Sequence, residues 1–363
     1  MKRISHAIRG LPRYRLVAGR VRCASSGSPG RQAIAVHVNK GVTSRSVPLS
    51  TPWSRRLGLS APIVNAPMGG AAGGMLAAAV SRAGGLGMIG MGSSATAAAL
   101  EAELAHVAGL ERPFGIGLVH WVAVNQPDLF ELALSAGPAL LSVSFGDDWS
   151  WVRRAHDAGV PVAAQVGDLA GALAAADAGV DVVVARGAEG GGHGQPRVGT
   201  LPLLAEVLDE VDLPVLAAGG VASARGLAAV LAAGAAGAWV GTAFAVCPEA
   251  TTAPGARAAL LAAPGDATTT TRAFDVALQY PWPATLPERV LRNEFVDRFD
   301  GREQTIDADA RAALSGAVAA ADYRIAPVNA GQGVGMVRES RSAAEVIDTL
   351  CTGAAHLLRR WAP

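Results

Sequence analysis

Lysine is nearly absent from this chain of 363 residues, and its first hundred residues contain no acidic side chain. Lys2 and Lys40 are the only lysines, and no GxxxxGK(S/T) loop is present, so chemistry on nucleoside triphosphates is unsupported. The first acidic residue is Glu101, whereas ten lysines and arginines lie within the first fifty residues. We interpret residues 1–55 as a basic, disordered extension; a mitochondrial-type presequence or a nucleic-acid-binding tail is the alternative.

Cysteine is also scarce, and its spacing excludes a disulfide framework or a CxxC zinc site. Cys23, Cys247 and Cys351 are odd in number and far apart. The uncharged residues 226–248 are rich in alanine and glycine, which predicts a half-buried helix and then a buried strand instead of a membrane span. No apolar segment follows the basic start as in a secretory signal. We therefore expect a cytoplasmic protein without membrane or nucleic-acid partners.

The remaining composition allows a large core, because half of the residues are hydrophobic and only 17% are charged. From residue 61 onward, eight short apolar runs alternate with Ala- and Leu-rich stretches of helical period, a pattern typical of βα units around a parallel sheet. The predicted strands are 62–66, 87–90, 114–119, 140–145, 160–166, 181–185, 214–218 and 238–244. Eight units predict an α/β fold, a closed (β/α)₈ TIM barrel over residues 56–250; an open doubly wound sheet is the alternative.

The helical stretches between these runs are 74–83, 95–108, 149–158, 169–178, 201–211 and 224–233. Most of them end in Ala-Gly, the usual stop signal of a helix. After Cys247 the pattern changes, with threonines at 268–271, a proline-rich loop and a charged helix predicted over 289–299. We interpret residues 251–340 as an inserted, mostly helical cap segment and residues 341–363 as a closing amphipathic helix.

The loop after the sixth predicted strand is the most informative segment of the chain. Residues 185–194 read ARGAEGGGHG, and the glycines let the backbone approach a flat ligand while His193 stands beside it. In a barrel, loops that follow the strands form the active face. A flexible surface loop that happens to contain histidine is the alternative. No second histidine or carboxylate has metal-ligand spacing to His193 in the sequence, so we expect no bound metal.

A phosphate site is predicted where the last two strands end. Gly219 and Gly220 follow the seventh strand, and Gly241 and Thr242 follow the eighth. A helix beginning near Ser223 would point its positive end at the same place, which favours an anion. A tight turn without a ligand is the alternative interpretation.

Six strings resemble, in order and spacing, the nitronate monooxygenase family, formerly called 2-nitropropane dioxygenases. They are PIVNAPMGG, AGGLGMIG, QVGDLAGALAAADAGVD, GAEGGGHG, LPVLAAGGVAS and AWVGTAF, and the resemblance runs from about residue 62 to 338. It implies an FMN-dependent barrel that uses O₂ to oxidise alkyl nitronates of the propionate 3-nitronate type. It implies His193 as the catalytic residue, either a base or a group that orients substrate.

The resemblance also implies the residues around the cofactor. FMN would contact Asn65, Ala66, Pro67, Met68, Gln165, Gly191, Gly192, Gly219, Gly220, Gly241 and Thr242. Substrate would contact His120, Trp121 and Gln332. The reaction partners would be a small molecule and O₂, with a homodimer left open.

This chain departs from the family pattern at three positions. Asn65 and Arg186 stand where glutamine is usual, and Gly190 stands where alanine is usual. Arg186 places a positive charge near the site, and we favour its pairing with Glu189 over contact with an anionic substrate. Two other functions stay open: an NAD(P)H-dependent FMN reductase of the enoyl-acyl-carrier-protein or quinone reductase type, and a non-catalytic flavin-binding protein.

Overall fold

The computed structural model describes residues 49–360 of the chain. The strands are β1 Ile63–Asn65, β2 Gly87–Met91, β3 Phe114–Val119, β4 Leu140–Ser144, β5 Val162–Val166, β6 Val182–Arg186, β7 Gly192–His193, β8 Val215–Ala218, β9 Gly237–Val240, β10 Thr268–Thr271 and β11 Glu288–Leu291. The helices are α1 Pro52–Arg56, α2 Gly74–Arg82, α3 Ala97–Leu104, α4 His120–Asn125, α5 Pro127–Ser135, α6 Ser150–Asp157, α7 Leu169–Asp177, α8 Thr200–Glu210, α9 Ala224–Ala232, α10 Thr242–Ala245, α11 Pro254–Ala262, α12 Ala273–Leu278, α13 Glu294–Phe299, α14 Ala308–Ala319 and α15 Ala343–Arg359.

Eight of these strands form the predicted parallel barrel. Their order is β1-β9-β8-β6-β5-β4-β3-β2, and every neighbouring pair is parallel. The parallel bridge between Val64 and Leu86 joins β1 to β2 and closes the ring. The TIM-barrel prediction is thus confirmed, with every predicted strand overlapping an observed one.

Side-chain alternation along the strands divides the core into an inner and an outer cluster. Val64, Met88 and Leu216 belong to the cluster inside the barrel. Ile63 and Ile89, one residue away from inner positions, belong to the larger cluster between the strands and the surrounding helices. Successive residues of a strand point to opposite faces, so both faces of a barrel strand are apolar.

Two predicted elements are wrong at their ends or in type. The strand predicted over 238–244 stops at Val240, because the backbone turns at Gly241 and Thr242–Ala245 is helical. The helix predicted over 289–299 is instead β11 followed by the short helix α13. Asn293 separates them, since its side chain accepts a hydrogen bond from the Val296 amide and caps α13.

A small antiparallel sheet, β10-β11-β7, connects the cap segment to the glycine loop of the barrel. β11 pairs with β10 over four residue pairs and places Glu288 opposite His193 and Arg289 opposite Gly192. Because β7 belongs to the loop after β6, the cap fixes the position of the histidine.

The start of the described chain belongs to the folded body. Helix α1 lies within residues assigned above to the extension, and Trp53 in it is buried against the inner cluster. Residues 1–48, and with them the rest of the predicted extension, lie outside the described residues. None of the described helices has both the length and the apolar character that crossing a membrane requires.

Two of the three cysteines lie within the described residues. Cys247 and Cys351 are both buried and unpaired. Burial raises the pKa of each thiol to about 12, which makes thiolate chemistry unfavourable at neutral pH.

Candidate active site

A cleft lined largely by glycine lies where the barrel strands end. We call it the glycine cleft; it is open to solvent, and its cavity volume is about 80 Å³. Its lining residues are Ala66, Met68, Gln165, Arg186, Gly190, Gly191, Ala218, Gly219, Gly220, Val221, Ala222, Trp239, Gly241, Thr242, Gly331 and Gly333. A separate cavity of about 240 Å³, between α11 and β11, contains none of the predicted site residues.

One end of the glycine cleft has the features of an anion cradle. Gly219 and Gly220 adopt positive φ angles of 108° and 68°, a conformation that glycine tolerates best. Within the described residues, neither amide donates a hydrogen bond to a protein acceptor. Helix α9 begins just beyond them, capped by Ser223, and α10 begins at Thr242. Unpaired amides beside a helix start attract a phosphate.

His193 is held by a buried carboxylate that comes from the cap. Its Nε2 atom lies 3.0 Å and 3.1 Å from the two carboxylate oxygens of Asp275. His193 belongs to β7 and Asp275 to α12. The side chains of His193 and Asp275 are 13% and 5% exposed. An ionised carboxylate can only accept, so Nε2 carries the proton and, in the neutral ring, Nδ1 holds the lone pair.

Glu288 is a second buried carboxyl group beside this pair. It is 5% exposed and lies opposite His193 in the β7–β11 ladder. Burial, reinforced by the negative charge of Asp275, raises the pKa of Glu288 to about 8. Glu288 is therefore protonated at neutral pH, which leaves the negative charge of the two carboxyl groups on Asp275.

The fold thus brings together three ligand-type side chains that the sequence kept apart. One ligand atom each from His193, Asp275 and Glu288 lies within 4.8 Å of the others. The expectation of no metal rested on sequence spacing alone, and that spacing did not reveal this cluster. At neutral pH the cluster therefore consists of a protonated Glu288 beside the hydrogen-bonded His193–Asp275 pair.

Arg186 ends β6 and turns back onto the glycine loop. Its Nη2 atom donates to the carbonyl oxygens of Gly190 at 2.7 Å, Gly192 at 2.9 Å and Gly191 at 3.3 Å. The expected ion pair with Glu189 is wrong, because that carboxylate instead accepts hydrogen bonds from the amide and hydroxyl of Thr200. Arg186 therefore holds the loop in shape and lines the glycine cleft.

An aromatic cluster surrounds the other face of the histidine. Trp282 stacks on His193 with ring centroids 3.6 Å apart and an interplanar angle of 6°. The edges of Phe145 and Trp121 meet Trp282 at centroid distances of 5.1 Å and 5.9 Å. Trp282 donates to the hydroxyl of Ser93 at 3.2 Å. Phe145 has a positive φ of 75°, an unfavourable conformation for a bulky residue, which is typical of functional sites.

The structure gathers most of the predicted cofactor residues in the glycine cleft. Those lining it are Ala66, Met68, Gln165, Gly191, Gly219, Gly220, Gly241 and Thr242. Asn65 is fully buried outside this lining, where its side-chain amide bonds the backbone of Met88 and joins β1 to β2. Pro67 packs against Gly90 and Gly117, and Gly192 lies in β7.

The predicted substrate residues occupy different places. Trp121 belongs to the aromatic cluster, and His120 packs on Gly146 beside it. The buried His120 Nε2 and Trp121 Nε1 atoms have no hydrogen-bond partner within the described residues. Gln332 is exposed, although its neighbours Gly331 and Gly333 line the glycine cleft.

Sequence reasoning missed Asp275, Trp282 and Glu288. Asp275 is separated from His193 by 82 positions, and only the folded cap brings the two together. Trp282 lies between two prolines in an otherwise exposed loop. A tryptophan in a proline-rich loop was the sequence signal that could have pointed to it. Glu288 was included in no predicted element that faces the site.

A parallel (β/α)₈ barrel with an anion cradle and a buried histidine–carboxylate pair at one end defines the class as a barrel enzyme. A sequence model of the nitronate monooxygenase family matches residues 51–133 and 118–353. The chain belongs to this family of oxidoreductases, whose members are in general flavin-dependent and act on small molecules with O₂. The alternative of a non-catalytic protein is thereby set aside.

Individual relatives differ in their activities. A Mycobacterium tuberculosis (3aS,4S,5R,7aS)-5-hydroxy-7a-methyl-1-oxo-octahydro-1H-indene-4-carboxyl-CoA dehydrogenase is 34% identical over 256 residues, 69% of either chain. A nitronate monooxygenase of Pseudomonas aeruginosa is 31% identical over 354 residues, covering 82% of this chain and 97% of the relative.

Solved structures of other proteins share this fold. FabK from Thermotoga maritima superposes with a TM-score of 0.76 at 28% identity, covering 86% of this chain and 98% of that one. Nitroalkane oxidase from Streptomyces ansochromogenes superposes with a TM-score of 0.72 at 29% identity, covering 84% and 98%.

Proposed function

We propose that the protein oxidises alkyl nitronates with O₂, using FMN held in the glycine cleft, and releases a carbonyl compound with nitrite or nitrate. The observation that carries the proposal is the buried His193–Asp275 pair. His193 stands two residues after Gly191, which lines the glycine cleft. The family assignment supplies the reaction class. FMN, when bound, would take electrons from the substrate carbon and pass them to O₂.

The glycine cleft fits this cofactor. The free amides of Gly219 and Gly220 and the start of α10 at Thr242 suit the phosphate. Met68 offers an apolar wall, and the side-chain amide of Gln165 makes no hydrogen bond within the described residues, so it is free to contact the ring system.

His193 would handle the substrate proton. With Nε2 bonded to Asp275, Nδ1 is the atom able to take a proton from the carbon next to a nitro group. After that transfer the imidazolium would lie between the Asp275 carboxylate and the face of Trp282, both of which stabilise a cation. A substrate that arrives as a nitronate needs only the orienting role of the ring.

The aromatic cluster would form the dry wall of the substrate site. Trp121, Phe145 and Trp282 present apolar surface around His193. Small nitronates fit a site of this kind better than bulky polar ones, because it offers few hydrogen-bond partners.

Anaerobic reduction of the bound flavin tests the proposal. A nitronate, the matching neutral nitroalkane and NADH are mixed in turn with the purified holoenzyme, and bleaching of the flavin absorbance is followed. We expect bleaching by the nitronate and nitroalkane. Bleaching by NADH alone would support the reductase function instead, and absence of any bound flavin would overturn both.

A second candidate is dehydrogenation of a CoA thioester. It is favoured by the 34% identity to the M. tuberculosis CoA dehydrogenase. The same His193–Asp275 pair would remove the proton next to the thioester carbonyl. Adding an acyl-CoA to the anaerobic panel separates the two activities, since only a thioester dehydrogenase is reduced by it.

A further inference from the structure

Arg186 has hydrogen-bonding capacity that the protein does not use. Its side chain is buried, with 5% of the residue exposed, and lines the glycine cleft. All three of its hydrogen bonds come from Nη2, to the carbonyl oxygens of the glycine loop. Within the described residues, its Nε and Nη1 atoms donate to no acceptor. The clamp on the loop uses only Nη2, so Nε and Nη1 are available to a ligand in the cleft.

The charge of Arg186 also lacks a direct partner. No carboxylate forms an ion pair with it among the described residues. The carboxylate of Glu189 is occupied by Thr200. A second cation, Arg289, lies near enough to disfavour its charge, and burial with this repulsion lowers the pKa of Arg186 to about 10. The negative charge of Glu189 offsets these two effects only in part. Arg186 remains charged at neutral pH, so the cleft wall carries a buried positive charge that forms no ion pair within the described residues.

A buried cation that forms no ion pair is costly unless a ligand supplies a partner. The place of the guanidinium indicates which part of a ligand it would meet. A Cβ on Gly194 would lie 2.4 Å from Nη1, so the charge sits next to the residue that follows His193. The anion cradle is formed by Gly219 and Gly220, which both follow β8, the strand paired with β6. Because its guanidinium turns onto the loop around His193, Arg186 is placed on the side of the reacting groups.

We propose that Arg186 contacts the ring system of the bound flavin and stabilises the negative charge that the ring acquires on reduction. The inference rests on the proposed function, because it requires FMN in the glycine cleft. Uptake of two electrons from the substrate carbon and of one proton leaves the ring with one extra negative charge. A fixed positive charge beside the ring favours that form and thereby sets the ease of reduction. Substitution by arginine at a position where relatives often have glutamine would make this member a stronger oxidant.

The experiment compares holoenzymes of the wild type, Arg186→Gln, Arg186→Lys and Arg289→Gln. Arg289→Gln is the matched control, since Arg289 also donates to the loop, at the Ala188 carbonyl, but does not line the glycine cleft. Affinity for oxidised FMN is measured by flavin fluorescence, and the midpoint potential by a dye-equilibrated reductive titration. If Arg186→Gln does not fold, Arg186→Met provides the same removal of charge.

We expect Arg186→Gln to lose at least tenfold more affinity for reduced FMN than for oxidised FMN, because loss of the loop clamp affects both forms alike. For a two-electron couple this lowers the midpoint potential by about 30 mV or more. Arg186→Lys should recover part of the shift, and Arg289→Gln should lower the potential less than Arg186→Gln does, because Arg289 does not line the cleft. An unchanged potential in Arg186→Gln overturns the inference. If KM then rises only for nitronates with a carboxylate, the charge serves the substrate. A wild-type protein that binds no FMN overturns the proposed function itself.

Discussion

At the scale of single residues, Asp275 decides which nitrogen of His193 is available for chemistry. Both carboxylate oxygens lie within 3.1 Å of Nε2, so the ring is fixed with that nitrogen as the donor. Trp282 restrains the ring plane from one side. Orientation by a buried carboxylate is a recurring way to prepare a histidine base.

Asp275→Asn should impair proton removal more than nitronate oxidation. Without the carboxylate the ring loses its fixed tautomer and the charge that stabilises the imidazolium. We expect kcat/KM for a neutral nitroalkane to fall by about 10²–10⁴-fold, the usual contribution of a general base, and that for the preformed nitronate to fall much less. Steady-state kinetics on the two substrates measures this difference. His193→Ala should behave alike and retain FMN, and equal losses on both substrates would contradict the assignment of a base.

Glu288 should make the free energy of unfolding depend on pH. Its pKa rises from 4.5 in an unfolded chain to about 8 in the folded protein. The folded state therefore binds more protons between these values, and the contribution of Glu288 is fully present below pH 4.5 and is lost as pH rises through about 8. Urea denaturation at pH 6 and pH 9 should show that Glu288→Gln gains stability relative to the wild type at pH 9. The exposed Glu101→Gln is the control, and parallel profiles for Glu288→Gln and the wild type would refute this.

At the scale of elements, the β10-β11-β7 sheet joins the loop that bears His193 to the cap that bears Asp275. The two-residue strand β7 has little stability of its own and depends on β11 and on the clamp by Arg186. The sequence predicted the loop from its glycines, because their pattern is local. It did not predict β11, whose pairing with β7 involves residues about a hundred positions apart. Strand pairing over such a distance leaves no periodic signal in a stretch of four residues.

Two adjacent glycines of this loop should respond differently to substitution by alanine. A Cβ at Gly191 would lie 2.6 Å from the Gly331 amide nitrogen, a backbone atom that cannot move away cheaply. At Gly192, with φ of 70°, the nearest atom to a Cβ would be 3.9 Å away. The destabilisation by alanine there therefore comes only from its left-handed backbone conformation, about 1–2 kcal/mol. Gly191→Ala should lower both Tm and FMN affinity more than Gly192→Ala, as measured by thermal denaturation and flavin fluorescence. A reversed order would show that close packing does not limit the loop.

At the scale of the whole molecule, the barrel was predictable because each βα unit repeats the same local signals. Apolar runs marked all eight strands, and Ala-Gly pairs marked helix ends such as Gly159 and Gly179, both with positive φ. The site was predictable only in part. The glycine cleft depends on residues at strand ends, whereas Asp275 and Trp282 come from the cap, whose place over the barrel is set by tertiary contacts alone.

The opposite end of the barrel offers a test of stability separate from the site. Trp53 is 6% exposed and packs with Leu59 and the inner cluster, and Thr51 before it donates to the Ala236 carbonyl at 2.6 Å. Trp53→Ala should therefore lower the free energy of unfolding by about 3–5 kcal/mol, as expected for loss of a buried tryptophan. The glycine cleft lies at the other strand ends, so FMN affinity of the folded variant should be unchanged. The control Leu201→Ala, at a half-exposed position, should stay within about 0.5 kcal/mol. A loss below about 1 kcal/mol for Trp53→Ala, measured by urea denaturation, would mean that packing of α1 on the inner cluster adds little to stability.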